Sequence, residues 1–444
     1  MPKLRIVLIG GGSLTWTPGL LTDLVMEPEL EGSTAVLVDI DEAALERMDA
    51  FAGRLFETAG RHWNIETTTD RRAALQGADF VLLTIAVGGL AAMEKDLEIP
   101  LKYGIYQTVG DTVGPGGLSR ALRNIPVILD IARDIERICP DAWLLQYTNP
   151  MTTLTRVITR ETKVKTIGLC HELPGVLRRV RRLLDIRDAS IDVTVAGVNH
   201  LIWLLGFHVD GHDGYDLLRR HLAEHPVEFP YRGELPGEAS SVWRDRMVLK
   251  LRLFETFGVL PAAGDRHLAE FFPHFLTDAT RRGGDYGVEL TTVQHRRQAA
   301  AAGRAIADRM AGGESEIPLR PSGEAAAEII MALASGTGDY VHVMNLPNRG
   351  QIANLPRDAV VETMARLGRD AATPEPSGEL PPALAAVLEP LVIRQEMTVE
   401  AGLRGDRALA LQVLATDPLV RDFAVSEPLL DELLRAHAAL LPQF

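Results

Sequence analysis

The stretch Leu4-Arg5-Ile6-Val7-Leu8-Ile9-Gly10-Gly11-Gly12-Ser13 decides the fold. A short apolar run rich in branched side chains ends in three glycines, and Pro18 then suits the first turn of a helix, where its missing N–H is no loss. A strand, a glycine turn and a helix in that order point backbone N–H groups to where the pyrophosphate of a dinucleotide can rest. Residue 15 is Thr, so the G-x-G-x-x-G spacing is incomplete and the turn has to be read with its surroundings.

Over the first 170 residues, short apolar runs alternate with longer amphipathic segments, the pattern of parallel strands joined by crossover helices. Strands are expected at Leu4 to Ile9, Ala35 to Asp39, Asp79 to Ala86, Trp143 to Tyr147 and Lys165 to Cys170, and helices at Pro18 to Val25, Glu42 to Ala59, Leu118 to Cys139 and Pro150 to Glu161. The runs are apolar nearly throughout, as in strands covered on both faces. The second ends at Asp39, placed to accept two ribose hydroxyls, as in sheets that bind NAD rather than NADP. The third ends at Ala86-Val87-Gly88-Gly89, a second place of close approach. Gly10, Gly12, Ser13, Asp39, Val87 and Gly88 are therefore candidate cofactor contacts. A sheet whose glycine turns merely permit tight packing is the competing reading, and the acidic end of the second strand weighs against it.

From Asp192 the pattern changes to antiparallel strands, Asp192 to Ala196 and Leu201 to Val209, with a turn at Asp210-Gly211-His212-Asp213-Gly214. The expected organisation is an α/β chain: a Rossmann-like dinucleotide-binding domain over 1–195 and an α+β substrate domain over 196–444, like lactate and malate dehydrogenases. Further helices are expected at Val242 to Thr256, Val293 to Met310 and Gly323 to Ala334, and a strand at Tyr340 to Met344. Gly368 to Pro382 reads as a solvated connection to Ala-rich C-terminal helices.

Composition limits the partners. A chain of 444 residues that is 46% hydrophobic is long enough for two or three domains with a large core. The formal net charge of −14, with no concentrated Lys/Arg run, argues against nucleic acid or an anionic membrane as principal partner. Phe80 to Met93, the longest apolar stretch, falls short of the roughly 20 residues of a membrane span, and the N-terminus has no signal-peptide core. Cys139 and Cys170 cannot build a disulfide framework, so a cytoplasmic protein is expected.

Several segments carry candidate chemistry. Gly110-Asp111-Thr112-Val113-Gly114-Pro115-Gly116-Gly117 holds one acid among glycines that suggest backbone lying against a ligand; Asp111 reads as a general acid or as a turn aspartate. Tyr147-Thr148-Asn149-Pro150 and Cys170-His171-Glu172 follow strands whose carboxyl ends should face the ligand. Cys170 and His200, in Gly197-Val198-Asn199-His200, could form a two-ligand metal site with open positions; a buried, unreactive Cys is the ordinary alternative. Asp265, Arg266, His267 and Glu270 gather in one short segment that a surface helix start explains nearly as well. The amide-rich run Asn345 to Pro356 suits turns or sugar hydroxyls.

Taken in order, the glycine turn at 4–13, Val87-Gly88-Gly89, Ile99 to Ile105, the loop at 110–117 with Arg120 to Pro126, Thr148-Asn149-Pro150, Cys170-His171-Glu172, Asn199-His200 and the segment 345–362 resemble glycoside hydrolase family four. The resemblance implies glycoside cleavage without the usual carboxylate pair. NAD oxidises carbon 3 of the sugar, a divalent metal assists loss of the carbon-2 proton and elimination, water adds, and the hydride returns. It also implies that Cys170 and His200 hold the metal, that Asn149 contacts substrate and cofactor near it, and that Asp111 is the acid of the glycine loop. Some members use a tyrosine as the carbon-2 base; Ala263 to His267 has none, and Asp265 is the candidate instead. Asn199, Arg266 and His267 are candidate substrate contacts; Arg266 reads as a partner for a sugar carboxylate or as a solvated arginine. The resemblance implies manganese, although thiolate and imidazole would by softness favour zinc. Cys170-His171-Glu172 resembles the branches for unphosphorylated α-glucosides, α-galactosides or hexuronides. A homodimer or homotetramer would suit the family. A 2-hydroxy-acid dehydrogenase on the same kind of sheet is the alternative activity, and a catalytically silent NAD or sugar sensor is a third reading.

Overall fold

Alternate residues of the first strand face two different cores. Ile6 and Leu8 pack with Leu20, Leu24, Met48 and Phe51 from helices Thr17–Met26 and Glu42–Ala59, whereas Val7 and Ile9 pack with Ile125, Ile128 and Val157 from helices Gly114–Ile138 and Met151–Glu161. The period of two in side-chain direction makes a wholly apolar strand the centre of a three-layer sandwich.

The computed structural model describes residues 3–233, 244–336 and 340–444. Among the described residues the strands are β1 (Arg5–Ile9), β2 (Thr34–Val38), β3 (Asn64–Thr68), β4 (Phe80–Leu83), β5 (Trp143–Gln146), β6 (Lys165–Gly168), β7 (Ile191–Val198), β8 (Leu201–Val209), β9 (His212–Asp213), β10 (Tyr340–Pro347), β11 (Val360–Gly368) and β12 (Ala371–Pro374). β3-β2-β1-β4-β5-β6 is a parallel sheet with the strand order of a dinucleotide-binding fold. β10, β11 and β12 extend it antiparallel beyond β6, and β10 joins through Asn345 opposite Gly168. A Cβ on Gly168 would lie 2.8 Å from that of Asn345, so the junction needs glycine. Residues from beyond position 195 thus complete the first sheet, while β7, β8 and β9 form a separate antiparallel one.

The structure departs from the expected elements where the pattern is polar or glycine-rich. β3 is made of Asn-Ile-Glu-Thr-Thr on the sheet edge, where one side meets solvent and polar residues are tolerated. Helices Gly89–Lys102 and Glu172–Leu183 are additional, and helix Gly114–Ile138 starts four residues earlier than Leu118. The loop before that helix folds back on its first turn, so that a Cβ on Gly117 would lie 2.5 Å from the Thr112 carbonyl carbon. Gly368 to Pro382 is not all connection: Gly368 ends β11 and Ala371–Pro374 forms the edge strand, turned by Asp370 at φ 55°. The expected helix at Val242 to Thr256 is observed as Val248–Phe257; residues 242 and 243 lie outside the described residues. No described helix is long and apolar enough to cross a membrane.

Leu145 on β5 is fully buried in the same core as Ile6 and Leu8. Leu145→Ala is expected to cost about 2–5 kcal/mol, read as a lower urea midpoint; an unchanged midpoint would contradict this placement of the core.

Candidate active site

The carboxyl ends of β1, β2, β4, β5 and β6 bring most of the candidate residues to one edge of the sheet. The N–H groups of Gly10 and Gly11 both donate to the Val38 carbonyl at 2.9 Å, which fixes the turn over the end of β2. Gly12 N–H donates to Asp39 Oδ2 at 3.0 Å, and a Cβ there would lie 2.6 Å from that of Ala44. Ser13 Oγ accepts from Trp16 N–H at 3.3 Å where the first helix begins. Gly10, Gly12, Ser13 and Asp39 are therefore one unit. Beside Asp39, Ile40 leaves 97% of its surface in solvent. An isoleucine so exposed beside the acid that ends β2 offers an apolar surface for a flat base, and the cradle fits a dinucleotide. Val87 and Gly88 follow β4, with Gly88 at φ 81°. Asn149 follows β5, and its carbonyl accepts from Arg120 Nε at 2.9 Å.

A second unit links the two parts of the chain. Asn199 and His200 form the two-residue turn between β7 and β8, where His200 takes φ 67°, the left-handed conformation such turns favour. Its Nδ1 lies 2.8 Å from Thr112 Oγ1, and that hydroxyl lies 2.8 Å from Asp111 Oδ1. Asp111 is half-buried. Burial opposes its charge, but the neighbouring cations, His267 when protonated and then Arg120, His200 and Arg296, outweigh it and hold the carboxyl below the ordinary range. Burial lowers the pKa of both imidazoles, so near pH 7 the arginines supply that field. A carboxylate can only accept, so the Thr112 proton points to Asp111 and the hydroxyl must accept from His200 Nδ1–H. The tautomer left has a bare Nε2, the form that ligates a metal.

His267 stacks on His200 with ring centroids 3.7 Å apart, and its buried Nδ1 has no partner among the described residues. One ligating atom each from Asp111, His200 and His267 lies within 4.8 Å of the others. This donor set fits a divalent ion. Cys170 is not in that group of three. It follows β6, and burial, with Glu362 and Glu172 nearby, pushes its thiol well up, while Asn199 supplies a side-chain hydrogen bond. Asn199 is fully buried, its Nδ2 donates to Glu362 Oε2 at 3.2 Å, and its Oδ1 has no partner. Asn199 thus braces the thiol instead of lining open space.

Asp265 is not brought to this cluster. Its carboxylate accepts from the N–H groups of Leu249 and Lys250, both at 3.1 Å, and from Lys250 Nζ at 2.7 Å, with 2% of the residue exposed. Burial and the nearby Asp245 push its carboxyl up to about 6 despite Lys250. Both oxygens serve the start of helix Val248–Phe257, which leaves none directed at a sugar. Arg266 is also engaged by protein: its guanidinium donates to the Thr108 carbonyl and the Thr291 hydroxyl. In the amide-rich run, Asn348 Nδ2 donates to the carbonyls of Ile352, Leu355 and Pro356, which makes it a turn.

Sequence reasoning passed over Thr112, Glu362 and Arg296. Thr112 sits inside the quoted loop, and only the tertiary contact with His200 gives it a role. Glu362 was within reach, since it stands opposite Asn345 in the β10–β11 ladder. Arg296 lies on helix Val293–Ala311 with no local pattern to mark it. Glu270, named with the segment at 265–270 but given no role, braces the glycine loop: its Oε1 accepts from Val109 and Gly110 N–H at 2.7 and 2.8 Å.

Burial, assisted by Asp111, pushes the Glu270 carboxyl up to about 7 against its two backbone donors. A carboxyl raised on folding stabilises fully below its unfolded value near 4.5 and loses that contribution as pH rises through 7. Glu270→Gln keeps the acceptor and has no proton to lose. Its stability relative to the parent is expected to improve between pH 5 and pH 8 in urea unfolding; a pH-independent difference would refute the buried, protonated state.

Two family models cover most of the chain: family 4 glycosyl hydrolase over residues 5–186 and its C-terminal domain over residues 195–420. An alpha-galacturonidase of Lachnoclostridium phytofermentans is 37% identical over 457 residues, 99% of this chain and 97% of that protein. An alpha-galactosidase of Bacillus subtilis is 32% identical over 446 residues, 99% of each chain. The crystal structure of lplD from Bacillus subtilis superposes with a TM-score of 0.89 at 34% identity, covering 97% of this chain and 100% of that one. The fold is shared more distantly with a malate dehydrogenase of Plasmodium falciparum, at a TM-score of 0.51 and 11% identity over 92% of this chain and 99% of that one. With a nucleotide cradle joined to a cluster of two histidines and a carboxylate, and matched by both models nearly end to end, the chain belongs to glycosyl hydrolase family 4.

Proposed function

We propose that this NAD- and metal-dependent α-glycosidase cleaves α-galacturonides. The observation that carries the choice of an anionic sugar is the set of three arginines, Arg120, Arg266 and Arg296, whose charges act on the Asp111 carboxylate. Such a field attracts a carboxylate before any direct pairing is made. The similarity to alpha-galacturonidases of several bacteria, at 34–37% identity, supports the same reading. NAD supplies a reversible hydride acceptor for carbon 3, and the divalent ion, manganese on this reading, supplies Lewis acidity at the sugar oxygens.

The chain's own residues divide the remaining work. Asp39 orients the nucleotide through its ribose, and the close-packed turn from Gly10 to Ser13 lets the pyrophosphate approach the start of helix Thr17–Met26. His200 Nε2 and the Cys170 thiolate would hold the ion, His267 would stand beside them, and Asn149, after β5, would contact sugar and cofactor. Asp111, kept ionised, takes the carbon-2 proton; Asp265 anchors the helix that carries Arg266 and His267. Residues 1–195 carry the cofactor cradle together with Asp111, Asn149 and Cys170, and residues 196–444 complete the sugar side with His200 and His267. We also assign the enzyme to the cytoplasm, on its two unpaired cysteines, as a homodimer or homotetramer on its family.

The test is release of 4-nitrophenol from its α-galacturonide and α-galactoside with NAD and manganese under reductant. Hydrolysis of the galacturonide with no net NADH is expected; activity on neither glycoside, or stoichiometric NADH from a hydroxy acid, would overturn the reading. Because the Cys170 thiol is protonated without metal, manganese binding should release a proton and weaken as pH falls. Cys170→Ser should lose metal activation while retaining NAD, as read by calorimetry.

A further inference from the structure

Asp96, Arg123 and His437 form a buried ionic network away from the cluster around Asp111, with 0%, 1% and 2% of their surfaces exposed. Arg123 spends both terminal nitrogens on the two Asp96 oxygens, Nη1 at 2.8 Å from Oδ1, and its remaining Nε donates to the Val87 carbonyl at 2.9 Å. A planar guanidinium held this way on one side has no freedom left on the other, so Asp96 sets the direction of the Val87 carbonyl. Asp96 is in turn fixed by Ser119 Oγ at 2.7 Å and by His437 Nε2 at 3.0 Å. The Val87 N–H donates to Asn124 Oδ1 at 3.2 Å, so both main-chain polar groups of Val87 are tied to one helix.

His437 caps helix Ser426–Ala436, more than 300 residues along the chain from the turn it reaches. The segment that follows packs on the same turn: a Cβ on Gly88 would lie 2.6 Å from Leu440 Cδ1. Lys95 Nζ donates to the Ala436 carbonyl at 2.7 Å, and Gln443 Nε2 to the Leu122 carbonyl at 2.8 Å, which fixes both ends of the segment to the cofactor side of the fold. Burying an arginine and an aspartate is costly unless their geometry is fully satisfied. The groups that satisfy it here converge on a carbonyl at the end of β4. We propose that residues 437–441 are a strut that sets the Val87–Gly88 turn for NAD, with His437 a positioning residue acting through Asp96 and Arg123. This rests on the reading that Val87 and Gly88 contact the cofactor.

The test uses the full chain with His437→Leu, His437→Gln, Leu440→Ala and, as a control on the nucleotide site itself, Asp39→Ala. NAD and manganese affinities are each measured by calorimetry, with a thermal melt of every variant. His437→Leu is expected to weaken NAD about tenfold, with manganese affinity measured without NAD unchanged. The glutamine amide can still donate to Asp96, so His437→Gln should stay within about twofold of the parent. Leu440→Ala, which leaves no buried charge exposed to repacking, should weaken NAD about threefold. If His437→Leu binds NAD like the parent while Asp39→Ala does not, the strut is refuted and the nucleotide site stands. Equal loss of NAD, manganese and melting temperature in His437→Leu and His437→Gln would make the network merely structural, and failure of the parent to bind NAD would overturn the site and the strut together.

Discussion

The hydroxyl of Thr112 stands between the Asp111 carboxylate and the His200 ring, 2.8 Å from each, and the rest of the site depends on that shared proton order. It connects a glycine loop near the nucleotide sheet to the tip of the β7–β8 hairpin, fixes the imidazole tautomer, and leaves Nε2 bare. The loop can supply this hydroxyl only because it lies on the first turn of helix Gly114–Ile138, where any side chain at Gly117 would collide with Thr112. Glu270 holds the same loop from the other side through two backbone N–H groups. The glycines at 110–117 thus act by close packing, which makes the position of Asp111 a property of the whole junction.

Charge at the junction is arranged in opposition. Three arginines act on the Asp111 carboxylate while burial lowers the pKa of both histidines, so a carboxylate, two neutral imidazoles and a cationic field are compatible at one pH. Cys170 is the exception, since its burial beside Glu362 and Glu172 favours the thiol. Any metal bound through this sulfur would have to displace its proton. Lys250 plays the matching role in the second part of the chain: fully buried with Asp265, it compensates that carboxylate and the half-buried Asp245 at the root of the helix that carries His267.

Much of this was legible in the sequence. The apolar runs at residues 4–9, 35–39, 143–147 and 165–170 mark the inner strands because both their faces are buried, and Asp39 and Gly12 meet as their positions after two adjacent parallel strands require. β3 was hidden because an edge strand need not be apolar. The attachment of β10 to β6 was hidden because one residue pair, Asn345 with Gly168, carries it across 177 positions. His200 stood out as a candidate ligand through the family resemblance, whereas the bracing of Asn199 by Glu362 and the capture of Asp265 by Lys250 depend on packing between distant elements. Local composition could not tell an aspartate facing a sugar from one that starts a helix.

The central claim is that cleavage proceeds through loss of the proton on carbon 2 of the sugar. The most direct measurement is hydrolysis of an α-galacturonide in deuterium oxide with NAD and manganese, with the product examined by NMR or mass spectrometry. Deuterium at carbon 2 of the released sugar is the predicted result, and complete retention of hydrogen there would contradict the account.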